Sequence, residues 1–307
     1  MTLLNRIKSL YHKAIAWTYT IGFVDYSESL VLDPDVMPDV HWVKGIPNGH
    51  WYADPFILSE TEDSLIVLVE DYAFKGDKGQ ISKIKVDKRT FRITEIDTVL
   101  KLGTHLSFPA ILYMDDESGK IFFYPENCKS GRLDLYEYDQ HHSMFSRTLC
   151  PYPIADAVVF NVNDTKVIAG TLFPNDNGKE LLIFPYFEDE CPRDVKPLQT
   201  VKFSDNSARN AGMPFLIGNT LYRPAQNSNH RYGECVVIQR LDVNVGNQIC
   251  FQEIKRIYSP SRRYSLTFHT FNVYKDKYVV VDASGYRFGL FGAFLEWFSN
   301  SVKKLMK

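Results

Sequence analysis

The chain has 307 residues, and its 35 Lys and Arg against 37 Asp and Glu leave a net charge of −2, which offers no bulk attraction to nucleic acid. An apolar content of 45% supports a sizeable core, and 18 Tyr with 21 Phe favour strands and clefts that suit sugar rings. The five cysteines (Cys128, Cys150, Cys191, Cys235 and Cys250) form no CxxC pair and sit at no zinc-ligand spacing, so no metal is expected and a reducing, cytoplasmic compartment is.

Residues 1–30 read as an N-terminal amphipathic helix and lead-in. Thr2 to Ala16 places Leu3, Leu4, Ile7, Leu10, Tyr11 and Ala14 at helical spacing, with Arg6, Lys8 and Lys13 on the other side. No apolar h-region of a signal peptide opens the chain, and no run reaches the roughly 20 apolar residues of a membrane span.

Residues 42–287 repeat one pattern: a short strand holding Pro or Phe, a turn, an apolar strand, a polar loop and a further strand. With Asp54, Phe108, Asp156, Gly212 and His269 as equivalent starts, the intervals are 54, 48, 56 and 57 residues. Each interval has room for a four-stranded blade, so the predicted fold is all-β: a five-bladed β-propeller with short terminal helices. Residues 288–307 are helical in pattern again. Phe291, Phe294, Leu295, Phe298, Val302 and Leu305 are apolar, and Lys303, Lys304 and Lys307 close the run. Both terminal helices read as caps on the propeller, or alternatively as basic amphipathic anchors giving a peripheral membrane contact.

The first strand of each blade lines the central channel, so polar residues at its start face a funnel. These are Asp54, Ser107, Asp156, Arg209 with Asn210, and His269. Following strands end in Glu70 and Asp71, Glu126, Arg223 with Gln226, and Asp282. Carboxylates placed at one phase by several blades suggest a shared site, because a buried charge is costly without a purpose or a partner. Asp54, Asp156, Glu126 and Glu70 are the candidate catalytic groups. Trp51, Ser107, Arg209, Arg223, Gln226, Tyr232, His269 and Asp282 are the candidate substrate contacts. Acids come from blades one to three and bases from blades four and five, including His230 and Arg231, so the pocket should be bipolar. Carboxylates suit glycosyl chemistry, and Arg or His suits a phosphate or carboxylate on the substrate. No P-loop, GxGxxG, HExxH or GxSxG occurs, and no cofactor is expected.

The ordered segments WYADPF, HLSFP, YPEN, ARNAG, YRPAQ and HTFN resemble the N-terminal domain of plant glucosamine inositolphosphorylceramide transferases and related bacterial proteins, over roughly Trp42 to Ala283. That domain is in turn similar to the five-bladed arabinanase and β-xylosidase clan. The resemblance implies a glycan-linked role, with Asp54 at the position of the clan's base and Asp156 at that of its helper aspartate. The clan's acid is a Glu at the start of blade four, where this chain reads ARNAGMPF. Three functions follow as expectations. They are glycosyl transfer from a phosphate-activated sugar, glycoside hydrolysis with a relocated acid such as Glu126 or Glu70, and sugar binding without catalysis. The expected partner in each case is a carbohydrate or sugar phosphate.

Overall fold

The computed structural model describes residues 17–115, 117–244 and 248–305. Five four-stranded antiparallel sheets form the blades. Blade one is β3 (His50–Glu60), β4 (Ser64–Ala73), β5 (Lys78–Asp87) and β6 (Ile93–Leu100). Blade two is β7 (Ser107–Met114), β8 (Ile121–Glu126), β9 (Leu133–Tyr138) and β10 (Ser143–Cys150). Blade three is β11 (Ile154–Val162), β12 (Thr165–Leu172), β13 (Glu180–Pro185) and β14 (Gln199–Lys202). Blade four is β15 (Phe215–Ile217), β16 (Thr220–Asn227), β17 (Cys235–Val243) and β18 (Ile249–Ile257).

Blade five is shared between the two ends of the chain. Its inner strands are β19 (Phe271–Tyr274) and β20 (Tyr278–Tyr286), and its outer strands are β1 (Trp17–Asp25) and β2 (His41–Trp42). β1 pairs with β20 along its whole length, from Trp17 opposite Tyr286 to Asp25 opposite Tyr278. This corrects the expected boundaries of 1–30 and 42–287, because Trp17–Asp25 belongs to the propeller and closes its ring. The sequence WTYTIGFVD explains the placement. Ile21 and Phe23 face the core, and the β-branched and aromatic residues suit a pleated surface. The link from β1 to β2 holds a short helix, α1 (Glu28–Leu32), whose end is fixed from blade four. There the Lys255 ammonium donates to the carbonyls of Leu30, Asp33 and Val36 at 2.9, 2.6 and 2.5 Å.

The apolar core lies between blades rather than at the axis. Phe56, Phe108, Tyr124, Val158, Ile168 and Phe184 form one cluster, and Ile21, Val67, Val69, Ile84 and Val280 form another across blades five and one. The proposed N-terminal helix at Thr2–Ala16 lies outside the described residues. The C-terminal helix, α2 (Leu290–Leu305), starts two residues later than expected. Its Phe291, Phe294, Trp297 and Phe298 are exposed, so the expectation that this helix buries its apolar residues as a cap is not met.

Candidate functional site

In blades one to three the innermost strand slips register at the same place: between Ala53 and Phe56, Ser107 and Ala110, and Ala155 and Val158. The residue in each slip is left-handed, with φ of 47° at Asp54, 42° at Phe108 and 42° at Asp156. Such bulges re-aim side chains, and the strain persists only where the surroundings hold it. Here each left-handed residue donates its N–H to a carboxylate of the blade before it. Asp54 N–H donates to Asp282 Oδ2 at 2.9 Å, Phe108 N–H to Asp54 Oδ2 at 3.1 Å, and Asp156 N–H to Glu126 Oε2 at 3.0 Å. The carboxylates predicted as chemical groups therefore also pin the strands of the funnel. Asp54, which the sequence leaves without a visible structural task, has one.

Blade five completes the site. His269 precedes β19 rather than lying on it, and its Nδ1 is 2.5 Å from Asp282 Oδ1, which also accepts the Thr270 N–H at 3.1 Å. The Thr270 hydroxyl lies 3.0 Å from both Asp54 Oδ1 and Asp282 Oδ2. His269 Nε2 is 4.0 Å from Asp54 Oδ1. Burial disfavours the His269 imidazolium, but Asp282 outweighs it and raises the pKa to about 9. Burial pushes the Asp54 carboxyl up to about 6, against the pull of His269. Among the described residues, Asp54, His269 and Asp282 form the one group with metal-ligand spacing, their ligand atoms lying within 4.8 Å of one another. These atoms already bond to each other and to neighbouring N–H and O–H groups.

Arg209 departs from its expected part. Its guanidinium contacts Asp156 at 2.6 and 3.2 Å, Glu126 at 3.0 Å, Asn177 at 3.3 Å and also Asp176. Gln226 adds a 2.6 Å bond to Asp156 Oδ2. A cation facing three carboxylates has little left for a substrate phosphate, and burial still pushes Asp156 up against the Arg209 pull. Arg223 is not in the funnel at all. It is fully buried within blade four, bonded to Asn210 Oδ1 at 2.7 Å and Gln239 Oε1 at 2.5 Å, and it lies over the rings of Phe203 and Phe251. Arg231 and His230 are exposed, His230 pairing with Glu234 at 3.0 Å. Of the expected bases, Arg209 and His269 stand among the carboxylates, whereas Arg223, His230 and Arg231 do not.

Glu70 stands apart from the other acids. Burial pushes its carboxyl up to about 7, with His105 pulling it down. His105 Nε2 is 3.2 Å from Glu70 Oε1, but that oxygen has no aligned hydrogen-bond donor. Gly79 makes the arrangement feasible: its N–H donates to His105 Nδ1 at 2.9 Å, and a Cβ there would fall 2.8 Å from Glu70 Oε1. Ser107 opens β7 opposite Glu126.

An arc of part-buried rings adjoins His269. Tyr72 stacks on Trp51 at 4.5 Å, Trp51 meets Tyr19 at 4.8 Å, Tyr19 stacks on His269 at 5.2 Å, and Tyr232 meets His269 edge-on at 5.4 Å. Trp51 and Tyr232 were expected here. Tyr19, His105, Thr270 and Asp176 were not. The WTYTIG alternation around Tyr19 was the available signal, together with the HLSFP and HTFN segments that hold His105 and Thr270.

Fold and site together define a five-bladed propeller with a cluster of buried carboxylates and an arc of aromatic rings among its inner strands. The chain belongs to the family described as Glucosamine inositolphosphorylceramide transferase 1, N-terminal, whose model matches residues 35–267, more than half of the chain. It is thus a carbohydrate-related propeller. It is 24% identical over 208 residues to Glucosamine inositolphosphorylceramide transferase 1 of Arabidopsis thaliana, an alignment covering 65% of this chain and 26% of that protein. Among solved structures, it resembles a family 117 glycoside hydrolase produced by the marine bacterium Zobellia galactanivorans. That match has a TM-score of 0.50 and 9% identity, covers 89% of this chain and 92% of that one, and shows the fold alone. A β-xylosidase/α-arabinofuranosidase from a compost microbial metagenome, in complex with xylotriose, aligns with a TM-score of 0.49 and 11% identity over 80% of this chain and 93% of that one.

Proposed function

We propose that the funnel seats a sugar against Trp51, Tyr19 and Tyr232, and that Asp54 acts as general base in a displacement at the anomeric carbon of a glycoside. The observation that carries this reading is the placement of Asp54 and Glu70 on paired strands of blade one, where Glu70 stands opposite Ala53 and its carboxyl feels the Asp54 charge. The two carboxyls lie on adjacent strands with values pushed to about 6 and about 7. A base ionised at neutral pH beside an acid still partly protonated there is the division of labour that glycosidic cleavage needs. Glu70 Oε1, buried beside His105 without an aligned donor, is the candidate proton source that the start of blade four does not supply. Glu126 is less suited to that role, because it accepts from both Arg209 and the Asp156 N–H. Water or a sugar hydroxyl then attacks as Asp54 takes its proton.

A second reading is transfer from a phosphate-activated sugar, as the name of the Arabidopsis relative suggests for a protein of which this chain spans 26%. The missing acid at blade four supports it, since a phosphate leaves without full protonation. The engagement of Arg209 with three carboxylates weighs against a phosphate inside the funnel. The deciding experiment incubates the full chain with a panel of aryl glycosides and oligosaccharides, and in parallel with sugar phosphates and nucleotide sugars. Release of aglycone or reducing sugar from the first panel is expected. Release of phosphate or nucleotide from the second alone would move the assignment to transfer. Sugar binding with no release from either would leave a binding propeller.

A further inference from the structure

A second cleft, of about 360 Å3, opens beside the funnel at the seam of blades five and one. Tyr19 is its shared wall, lining the cleft while stacking on His269 and meeting Trp51 at a tilt. The other walls include His50, Phe74, Arg263 and Arg287. The chemistry reverses across Tyr19. In the funnel Arg209 is outnumbered by acids, whereas in the cleft Arg263 and Arg287 make no ion pair among the described residues. Arg263 donates to the carbonyls of Tyr286 and Arg287, the latter at 3.2 Å, and Arg287 lies 4.2 Å over the Phe74 ring. Nearby carboxylates are occupied. Asp71 holds His50 at 2.6 Å, and Glu296 accepts the Tyr286 hydroxyl.

We infer that this cleft binds a phosphate group carried by the substrate whose sugar lies in the funnel. Two guanidinium groups without counter-ions, held by backbone carbonyls and a ring face, present charged donors to one cavity. Planar N–H forks match phosphate oxygens. The inference rests on the reading that the funnel holds a sugar, and Tyr19 separates the two subsites by one ring. The phosphate could belong to a soluble ester or to a lipid headgroup. α2 starts three residues after Arg287 and exposes Phe291, Phe294, Trp297 and Phe298, apolar rings of the kind a lipid surface would take up.

The test is titration calorimetry of the full chain with inorganic phosphate and with glycerol 3-phosphate, and co-sedimentation with phosphatidylglycerol or phosphatidylcholine vesicles. The R263Q/R287Q variant should lose phosphate affinity by about tenfold or more, and R287K, which keeps the charge but not the fork, should lose less than R287Q. If the double variant melts early, R287Q alone carries the test, since the Arg287 guanidinium leans on a ring face, and a loss of about threefold is expected. Arginine-dependent sedimentation with phosphatidylglycerol vesicles assigns the phosphate to a lipid headgroup. Binding of glycerol 3-phosphate without sedimentation assigns it to a soluble ester. Equal phosphate affinity in wild type and variants, or no affinity in the wild type for any of these probes, overturns the proposal. D54N should bind phosphate as the wild type does, so loss of sugar turnover with phosphate binding intact would separate failure of the funnel reading from failure of the cleft.

Discussion

The Asp54 carboxylate accepts the N–H of Phe108 at 3.1 Å, and both residues sit in the left-handed region at the same phase of neighbouring blades. A group placed for chemistry therefore also holds the strained backbone of the next blade. Asp54→Ala leaves the Phe108 N–H buried without its acceptor, which should cost about 1–3 kcal/mol. Asp54→Asn keeps an acceptor oxygen and should cost less. Urea unfolding of both variants measures this, and an alanine variant as stable as the wild type would remove Asp54 from the scaffold.

Activity should follow a bell in pH. Asp54 must be ionised, so the rate rises through about pH 6, and Glu70 must be protonated, so the rate falls above about pH 7. The two limbs belong to the interacting pair rather than to either residue alone. Glu70→Gln should lower turnover by about 10²-fold and remove the alkaline limb. An unchanged alkaline limb in that variant would assign the acid elsewhere.

Stability should fall on the alkaline side. Asp282 raises the folded-state pKa of His269 to about 9 against an ordinary value of 6.5, so the folded protein holds this proton more tightly than the unfolded chain does. The contribution is fully present below pH 6.5 and is lost as pH rises through 9, amounting to about 3 kcal/mol at most. Urea midpoints from pH 6.5 to 9.5 should decline in the wild type and stay flatter in His269→Gln. Parallel profiles would show that the His269–Asp282 pair does not carry this charge.

Arg209→Met should act on the fold before it acts on any ligand. It leaves Asp156, Glu126 and Asp176 facing one another without a cation. Breaking a buried ion pair from one side costs about 3–5 kcal/mol. The expected readout is a large drop in the unfolding midpoint. A variant of wild-type stability with weakened phosphate binding would restore Arg209 as a substrate contact.

The repeat was legible because each blade writes its own inner strands locally, as in ADPF of blade one and ADAVVF of blade three. Ring closure was not, because β1 pairs with β20, more than two hundred residues away, and the helical spacing of Thr2–Ala16 hides where the strand begins. The phase of the repeat placed Asp54, Asp156, Glu70 and His269 on or beside inner strands, where the structure has them buried. Arg223 was misplaced by strand parity. Gln226 faces the funnel, and a residue three positions earlier on the same strand faces the opposite side. Local sequence also could not show that Arg209 meets acids of blades two and three, or that His105 approaches Glu70. Both contacts cross blades.

The most direct test is the turnover and sugar affinity of Asp54→Asn, measured side by side on the best glycoside from the substrate panel. The substitution keeps the shape of the side chain and removes its basicity. Turnover should fall by about 10²-fold or more with affinity for the sugar largely kept. Full turnover in Asp54→Asn would contradict a base at this position and leave the funnel as a binding site.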